Sequence, residues 1–245
     1  MEYEGLLGLI KQRRSIRRYE REPVPLEDVM KVLEAARWAP SGDNSQPWEF
    51  VVVRDGDMLN KVMDVLVEAG RECREACPRF SFVRPERLSD ASTLIIVCAD
   101  ARFKGAYPGC DEGHELAEMY EENSERILIE SVTHAVAFMS LAAASLGLGT
   151  VCLTSPGERV TAQRLRAILD IPEALQPICC LPLGFPGKKK HSGISPTKRV
   201  PRPLETMVHM NRFDKRKWRT GEDLAKHTRI GRKAWAHFYR TGQMP

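Results

Sequence analysis

The apolar positions of this chain recur with two different periods, and the places where the period changes mark out its elements. Leu6, Leu7, Leu9 and Ile10 predict a short first helix that runs into the basic stretch Lys11-Gln12-Arg13-Arg14-Ser15-Ile16-Arg17-Arg18-Tyr19. Pro23-Val24-Pro25 breaks the chain, and Leu26-Glu27-Asp28 opens a second helix with acids in its first turn. Val29, Val32, Leu33, Ala36 and Ala39 give that helix, Leu26 to Trp38, one apolar face. Glu49-Phe50-Val51-Val52-Val53 reads as a strand. Asp57 to Cys77 reads as a helix carrying Leu59, Val62, Met63, Leu66 and Val67, with Pro78 as its stop. Thr93 to Cys98 is an unbroken apolar run of strand length, as an interior strand requires. The pattern dissolves between Ala101 and Asn123, where Gly105, Pro108, Gly109 and Gly113 stand among many acids.

Ile127 to Leu146 is the most apolar long segment. A membrane span needs about 20 apolar residues. This segment carries Glu130 and His134, is rich in small residues and stands alone, so a buried core or dimer-interface helix is expected, with His134 a satisfied core histidine. Gly147-Leu148-Gly149 ends it and feeds a strand, Thr150 to Leu153. A turn, Thr154-Ser155-Pro156-Gly157, then leads to a helix from Thr161 to Leu169, and Pro177 to Phe185 forms a last strand.

Composition narrows the class. At 245 residues, 42% hydrophobic and 29% charged, the chain can bury a sizeable core as a soluble globular protein. No basic n-region followed by a long apolar stretch opens it, so no secretory signal is expected. The seven cysteines are scattered, without a CxxC pair, which favours a reducing cytoplasmic setting and buried thiols. Vicinal Cys179 and Cys180 point to opposite faces of their strand and read as core. Cys73 with Cys77, and Cys110 with His114, offer only two soft ligands apiece, so no metal site is expected. The net charge of +4 is uneven, because residues 211–245 hold ten Lys or Arg against three acids. With Trp218, Leu224, Trp235 and Phe238 among these cations, the segment is expected to form a basic amphipathic arm. Nucleic acid is not expected as a partner, since no base-reading motif accompanies the charge.

Two stretches carry candidate chemistry. Arg13, Arg14 and Arg17 present planar guanidinium forks and Ser15 adds a hydroxyl, a combination suited to phosphate oxygens. The same cations would equally complement the C-terminal dipole of the first helix. Ala39-Pro40-Ser41-Gly42-Asp43-Asn44-Ser45-Gln46-Pro47-Trp48 joins helix to strand with two prolines and four side chains able to bond nearby backbone. Such a segment holds one shape and can present donors to a ligand, although a plain helix-to-strand turn has similar chemistry.

These two stretches, in this order and at this separation, resemble the nitroreductase family, in which an R-[RH]-S-x-[RK] segment precedes a P-S-x-x-N-x-Q-P-W loop. The likeness extends over residues 5–210 and includes the small-residue helix followed by Gly147-Leu148-Gly149-Thr150. It implies an α+β fold: a three-layer sandwich with a central mixed, mainly antiparallel sheet flanked by helices, in an interlocked homodimer with FMN at the subunit interface. Residues 1–210 would form the FMN-binding domain and residues 211–245 a C-terminal extension on the partner subunit. By resemblance Arg13, Arg14, Ser15 and Arg17 bind the flavin, and Pro40, Ser41 and Asn44 reach it from the neighbouring subunit. Thr154 or Ser155 donates to the flavin N5/O4 edge, though Thr154 could instead cap the next turn. Either Arg199 or Arg202, near the Pro203-Leu204-Glu205 step, closes on the phosphate. Residues 101–123 become a lid with Lys104, Tyr107 and Tyr120 as candidate substrate contacts, and a mobile surface loop is the alternative. The flavin carries the chemistry, so no catalytic acid or base is expected from the protein. The implied activity is ping-pong transfer of hydride from NAD(P)H to a nitroaromatic or quinone acceptor. The alternatives are reductive dehalogenation, flavin cleavage, or a flavin-binding protein without turnover that uses its basic tail to find a partner.

Overall fold

A computed structural model describes residues 2–77, 84–111, 113–187 and 201–219. The chain divides into two compact units: Met1–Glu72 with Arg84–Lys188, and Cys73–Val83 with Lys189–Pro245. The first unit holds the sheet. Helices α1 (Tyr3–Gln12) and α2 (Leu26–Arg37) precede β1 (Trp48–Val53), and α3 (Gly56–Ala76) follows it. Then come β2 (Thr93–Asp100), the long α4 (Ala117–Ser145), β3 (Gly149–Thr150), α5 (Arg159–Leu169) and β4 (Leu175–Gly184).

The four strands lie in the order β1-β2-β4-β3, and every pairing is antiparallel. A parallel bridge between Ser15 and Thr150 adds the basic stretch to the outer edge of β3, which makes the sheet mixed. All eight residues of β2 are buried, as its unbroken apolar run requires. Side chains alternate across a strand, so β2 feeds two cores. Ile95, Val97 and Ala99 pack with Val29 and Val32 of α2 and with Leu128, Val132 and Met139 of α4. Leu94, Ile96 and Cys98 pack with Val62, Met63 and Leu66 of α3 and with Leu165 of α5. Helices, sheet and helices therefore form three layers, the α+β arrangement expected. Cys179 and Cys180 divide between the two cores in the same way.

The helix ends follow local chemistry. After α4, Gly147 takes φ 72° and Leu148 N donates to Ala143 O at 2.8 Å, a left-handed termination that glycine adopts without strain. α4 begins ten residues before the apolar pattern does, because its first turns (Ala117 to Arg126) are mostly polar and only Ser124 in them is buried. α4 is long and apolar enough to cross a membrane by length and composition, yet its buried residues are those that build the core beneath the sheet. His134 departs from its expectation: it is exposed, on the side of α4 turned away from that core. The second unit, as far as residues 201–219 describe it, contains two short 3-10 turns, Leu204–Thr206 and Lys215–Lys217. His209 stacks on Phe213 with ring centroids 4.1 Å apart, and Phe213 meets Trp218 edge-on at 5.9 Å. The helical arm expected over residues 211–245 is described only as far as residue 219, where one 3-10 turn stands, and the rest lies outside the described residues.

Candidate functional site

The basic stretch is held against the free edge of β3. Ile16 N donates to Thr150 O at 3.0 Å, and Ile16 crosses over Gly149, where an added Cβ would lie 2.7 Å from the Ile16 Cβ. Glycine is required there by close approach. Farther along, the buried Tyr19 ring covers Gly184, and its hydroxyl proton lies between the carbonyls of Ile16 (2.9 Å) and Pro182 (3.3 Å). Burial pushes the Tyr19 phenol well above its ordinary range. The three arginines differ in how they are engaged. Arg14 turns back onto the end of α1, donating to the carbonyls of Lys11 and Arg13, as a helix-capping cation does. Arg17 donates to Ser15 O at 3.4 Å. Arg13 is half-buried, and its guanidinium has no hydrogen-bond or ion-pair partner among the described residues.

The neighbouring strand also leaves polar groups unengaged. Thr150 is buried, and its hydroxyl has no hydrogen-bond partner among the described residues. Buried polar atoms are normally satisfied, so this one marks a place where a further group fits. Leu153 exchanges two 2.9 Å backbone bonds with Cys180, which carries the pairing past the end of β3. With a period of two, Thr150, Cys152 and Thr154 share one face. Thr154 is exposed and its side chain does not cap the turn that follows, while its carbonyl accepts from Gly157 N at 3.0 Å. Ser155 follows, half-buried, at the start of the turn.

The Pro40–Gln46 loop is organised differently. Gly42 N donates to Ser131 Oγ of α4 at 3.1 Å, and His134 Nδ1 donates to Pro40 O at 3.3 Å. Ser41 Oγ accepts from Gln46 N at 3.0 Å, and Ser45 shares a 2.9 Å hydrogen bond with the Tyr107 hydroxyl. Asp43, Asn44 and Gln46 all take positive φ near 50°, a strained backbone that these bonds hold in place. Gly42 fits tightly, since a Cβ would meet Ile127 Cγ2 at 2.4 Å. The loop is thus rigid and docked on α4 through Ser131 and His134, two residues whose role in the sequence was hidden among apolar neighbours.

Within one chain the structure joins the basic stretch that carries Arg13, Arg14, Ser15 and Arg17 to Gly149 and Thr150, whereas the loop with Pro40, Ser41 and Asn44 docks on α4. The loop contacts α4 at Ser131, and the basic stretch meets Thr150 beyond Ser145, the last residue of that helix. At 1.5 Å per residue Ser131 and Ser145 are about 20 Å apart along the helix axis. The proposed lid residues are committed elsewhere. Lys104 pairs with Glu121 at 2.5 Å and Glu125 at 3.4 Å, Tyr107 is buried beneath the loop, and Tyr120 lies half-buried in the first turn of α4. Arg202 lines an open basic cavity of the second unit with Arg216, Lys217, Trp218 and Arg219. Arg199 lies outside the described residues. Among the described residues no three His, Cys, Asp or Glu side chains are placed to hold a metal ion.

A chain with this sheet order and this pair of motifs belongs to the nitroreductase family, whose sequence model matches residues 10–185. It is 33% identical over 187 residues to a protein of Archaeoglobus fulgidus provisionally assigned as NADH dehydrogenase/NAD(P)H nitroreductase, covering 76% of this chain and 88% of that one. It is 30% identical over 208 residues to the iodotyrosine deiodinase of Thermotoga neapolitana, covering 85% of this chain and 98% of the relative. Among solved structures, a provisionally assigned nitroreductase of Desulfovibrio desulfuricans in complex with FMN superposes with a TM-score of 0.60 at 29% identity, over 85% of this chain and 98% of the other.

Proposed function

We propose that this chain is an FMN-dependent oxidoreductase that takes hydride from NAD(P)H and reduces a small acceptor of the nitroaromatic or quinone class. The observation that carries this reading is a set of groups without partners among the described residues: the Arg13 guanidinium, the buried Thr150 hydroxyl and the exposed Thr154 hydroxyl. FMN fits this set, because it presents a phosphate, a carbonyl-rich pyrimidine edge and an N5 position that accepts a hydrogen bond. When bound, it supplies the reversible two-electron chemistry that the protein's side chains lack. Arg13 and Arg17 supply positive charge to the phosphate or the pyrimidine edge, and Ser15 adds a donor. Thr154 or Ser155 donates toward N5, which fixes the ring and favours its reduction. Either Arg199 or Arg202 completes the phosphate site, and flavin retention in the two alanine variants decides which.

The site closes in a homodimer. Pro40, Ser41 and Asn44 sit in a loop docked on α4 at Ser131, and the basic stretch meets Thr150 beyond the end of that helix, so they complete the site of a second copy rather than their own. Exposed apolar side chains supply the contact: Tyr3, Leu6 and Ile10 form a stripe on α1, and Leu26 and Met30 project from α2. Released chromophore identified by mass, followed by anaerobic bleaching with NADH or NADPH and reoxidation by a quinone, tests the reading. A yellow protein that bleaches and recovers supports it. A colourless protein that fails to take up added FMN overturns it. A second reading, reductive dehalogenation, is favoured by the near full-length match to a deiodinase; flavin that reoxidises with a halotyrosine but not with a quinone would select it.

A further inference from the structure

Four of the seven cysteines lie on β2, β4 and the segment after β3, and they differ sharply in exposure. Cys98, Cys179 and Cys180 are buried, whereas Cys152 is exposed. Thr150 lies opposite Leu183 and Leu153 opposite Cys180, so the same register sets Cys152 opposite Leu181 and Thr154 opposite Cys179. Cys152 and Cys179 therefore stand on one face as diagonal neighbours on adjacent strands. Interaction with the Cys179 side chain lowers the pKa of Cys152, while the same interaction and burial raise that of Cys179. An exposed sulfur held toward its thiolate form, with a second thiol beneath it, is the arrangement of an oxidation-sensitive pair.

We propose that Cys152 and Cys179 form a hydroperoxide-responsive dithiol, in which Cys152 is the attacking and Cys179 the resolving residue. The Cys152 thiolate attacks one peroxide oxygen, the O–O bond breaks, and the departing alkoxide or hydroxide leaves as alcohol or water after taking a proton. Cys152 is then a sulfenic acid. The Cys179 sulfur attacks the Cys152 sulfur, the S–O bond breaks, and hydroxide leaves as water with the Cys179 proton. Two thiols lose two electrons in total, and one hydroperoxide is reduced. Diagonal neighbours sit about 7–8 Å apart between Cα atoms and a disulfide tolerates about 6.8 Å, so the outer strand must shift by roughly 1 Å. The shift falls where pairing is thinnest: between the Thr150 and Leu153 contacts, Val151 faces Pro182, which has no N–H to donate. Closure would draw in the segment that carries Thr150 and Thr154, so oxidation reports on that edge whether or not it holds a flavin.

The full chain as isolated, reduced and then freed of reductant, is treated with hydrogen peroxide, alkylated, and read by intact mass and peptide mapping. The expected product has lost two hydrogens and gives one linked peptide pair joining Cys152 to Cys179. Cys152→Ser slows thiol loss by about tenfold or more, because Cys152 is exposed and the other six cysteines are buried or half-buried. Cys179→Ser instead leaves Cys152 as a sulfenic acid that dimedone traps. Should Cys179→Ser fail to fold, Cys152→Ser, at an exposed position, decides alone. Unreacted cysteines, a link between any other pair, or oxygen added at Cys152 without a link would overturn the proposal.

Discussion

The two polar clusters along α4 handle their hydrogen-bonding groups in opposite ways. At Ser131 and His134 the Pro40–Gln46 loop is tied to its own chain through Gly42 N and Pro40 O, and three of its residues are held at positive φ. Beyond the C-terminus of α4 the backbone is well tied, through Ile16 to Thr150 and Leu153 to Cys180, while side-chain donors are left unmet among the described residues. The first cluster is finished as a shape. The second is finished as a backbone and open as chemistry. A rigid backbone with unengaged side chains is what a binding edge needs, since ordering those groups has already been done by folding. The first cluster's rigidity matters for a different reason: it lets the loop act on a surface other than its own chain's.

The largest test of this contrast is at Gly149. A valine there would place its Cβ within 2.7 Å of the Ile16 side chain, so the basic stretch must lift off β3. Overpacking of this kind costs about 1–3 kcal/mol, and here it also displaces Arg13, Ser15 and Arg17 together. Gly149→Val should lower the denaturation midpoint and abolish flavin retention together; a variant that kept its flavin would mean the edge is not the site. Ser131→Ala comes next. It strips the acceptor from Gly42 N–H and should cost about 1–2 kcal/mol, as an unmet backbone donor does. Because the loop is finished as a shape, the loss should appear in stability and in dimer dissociation measured by sedimentation. If flavin is lost with no change in either, the division between the clusters is wrong.

Tyr19→Phe sharpens the backbone half of the contrast. The Tyr19 hydroxyl ties the basic stretch to β4, and its removal should cost about 1 kcal/mol near neutral pH. The pH dependence has a definite sign. Burial raises the folded phenol above its unfolded value near 10, so its contribution is complete below about pH 10 and is lost as pH rises beyond that. Wild-type protein should therefore destabilise more steeply above pH 10 than the phenylalanine variant, as followed by urea unfolding at a series of pH values. Parallel curves would show that the phenol ionises without leaving its place.

The sequence showed the elements wherever a single period dominated. The apolar stripe of α2 and the unbroken runs of β2 and β4 sit within a few residues of where the pattern put them, because one buried face dictates each. The early turns of α4 were illegible, since they are largely exposed and their glutamates carry no periodic apolar signal. His134 looked like a core residue because its neighbours are apolar, but a helix of 3.6 residues per turn places it beside Thr133 on the exposed side. For the site, the basic stretch and the loop stood out by composition. Their separation within one chain did not, because it depends on how far α4 carries the chain between them. Nor did the sequence distinguish Arg14, which caps its own helix, from Arg13, which does not.

That last distinction gives the smallest expected change in stability and the most direct reading of the open edge. Arg13 is half-buried without a partner among the described residues, so Arg13→Ala should alter the unfolding free energy by no more than about 0.5 kcal/mol. Flavin retention should respond far more, since a hydrogen bond to a charged group is worth about 1.5–3 kcal/mol, or roughly ten- to a hundredfold in affinity. Arg14→Ala should show the reverse, a loss of helix-end stability with retention nearly intact, because its guanidinium already serves the carbonyls of Lys11 and Arg13. Flavin release rates and denaturation midpoints measured on the two variants side by side decide between the roles. If Arg13→Ala keeps its flavin and Arg14→Ala loses it, then Arg14 must leave its capping position when the ligand binds, and the open edge would be one that the ligand itself assembles.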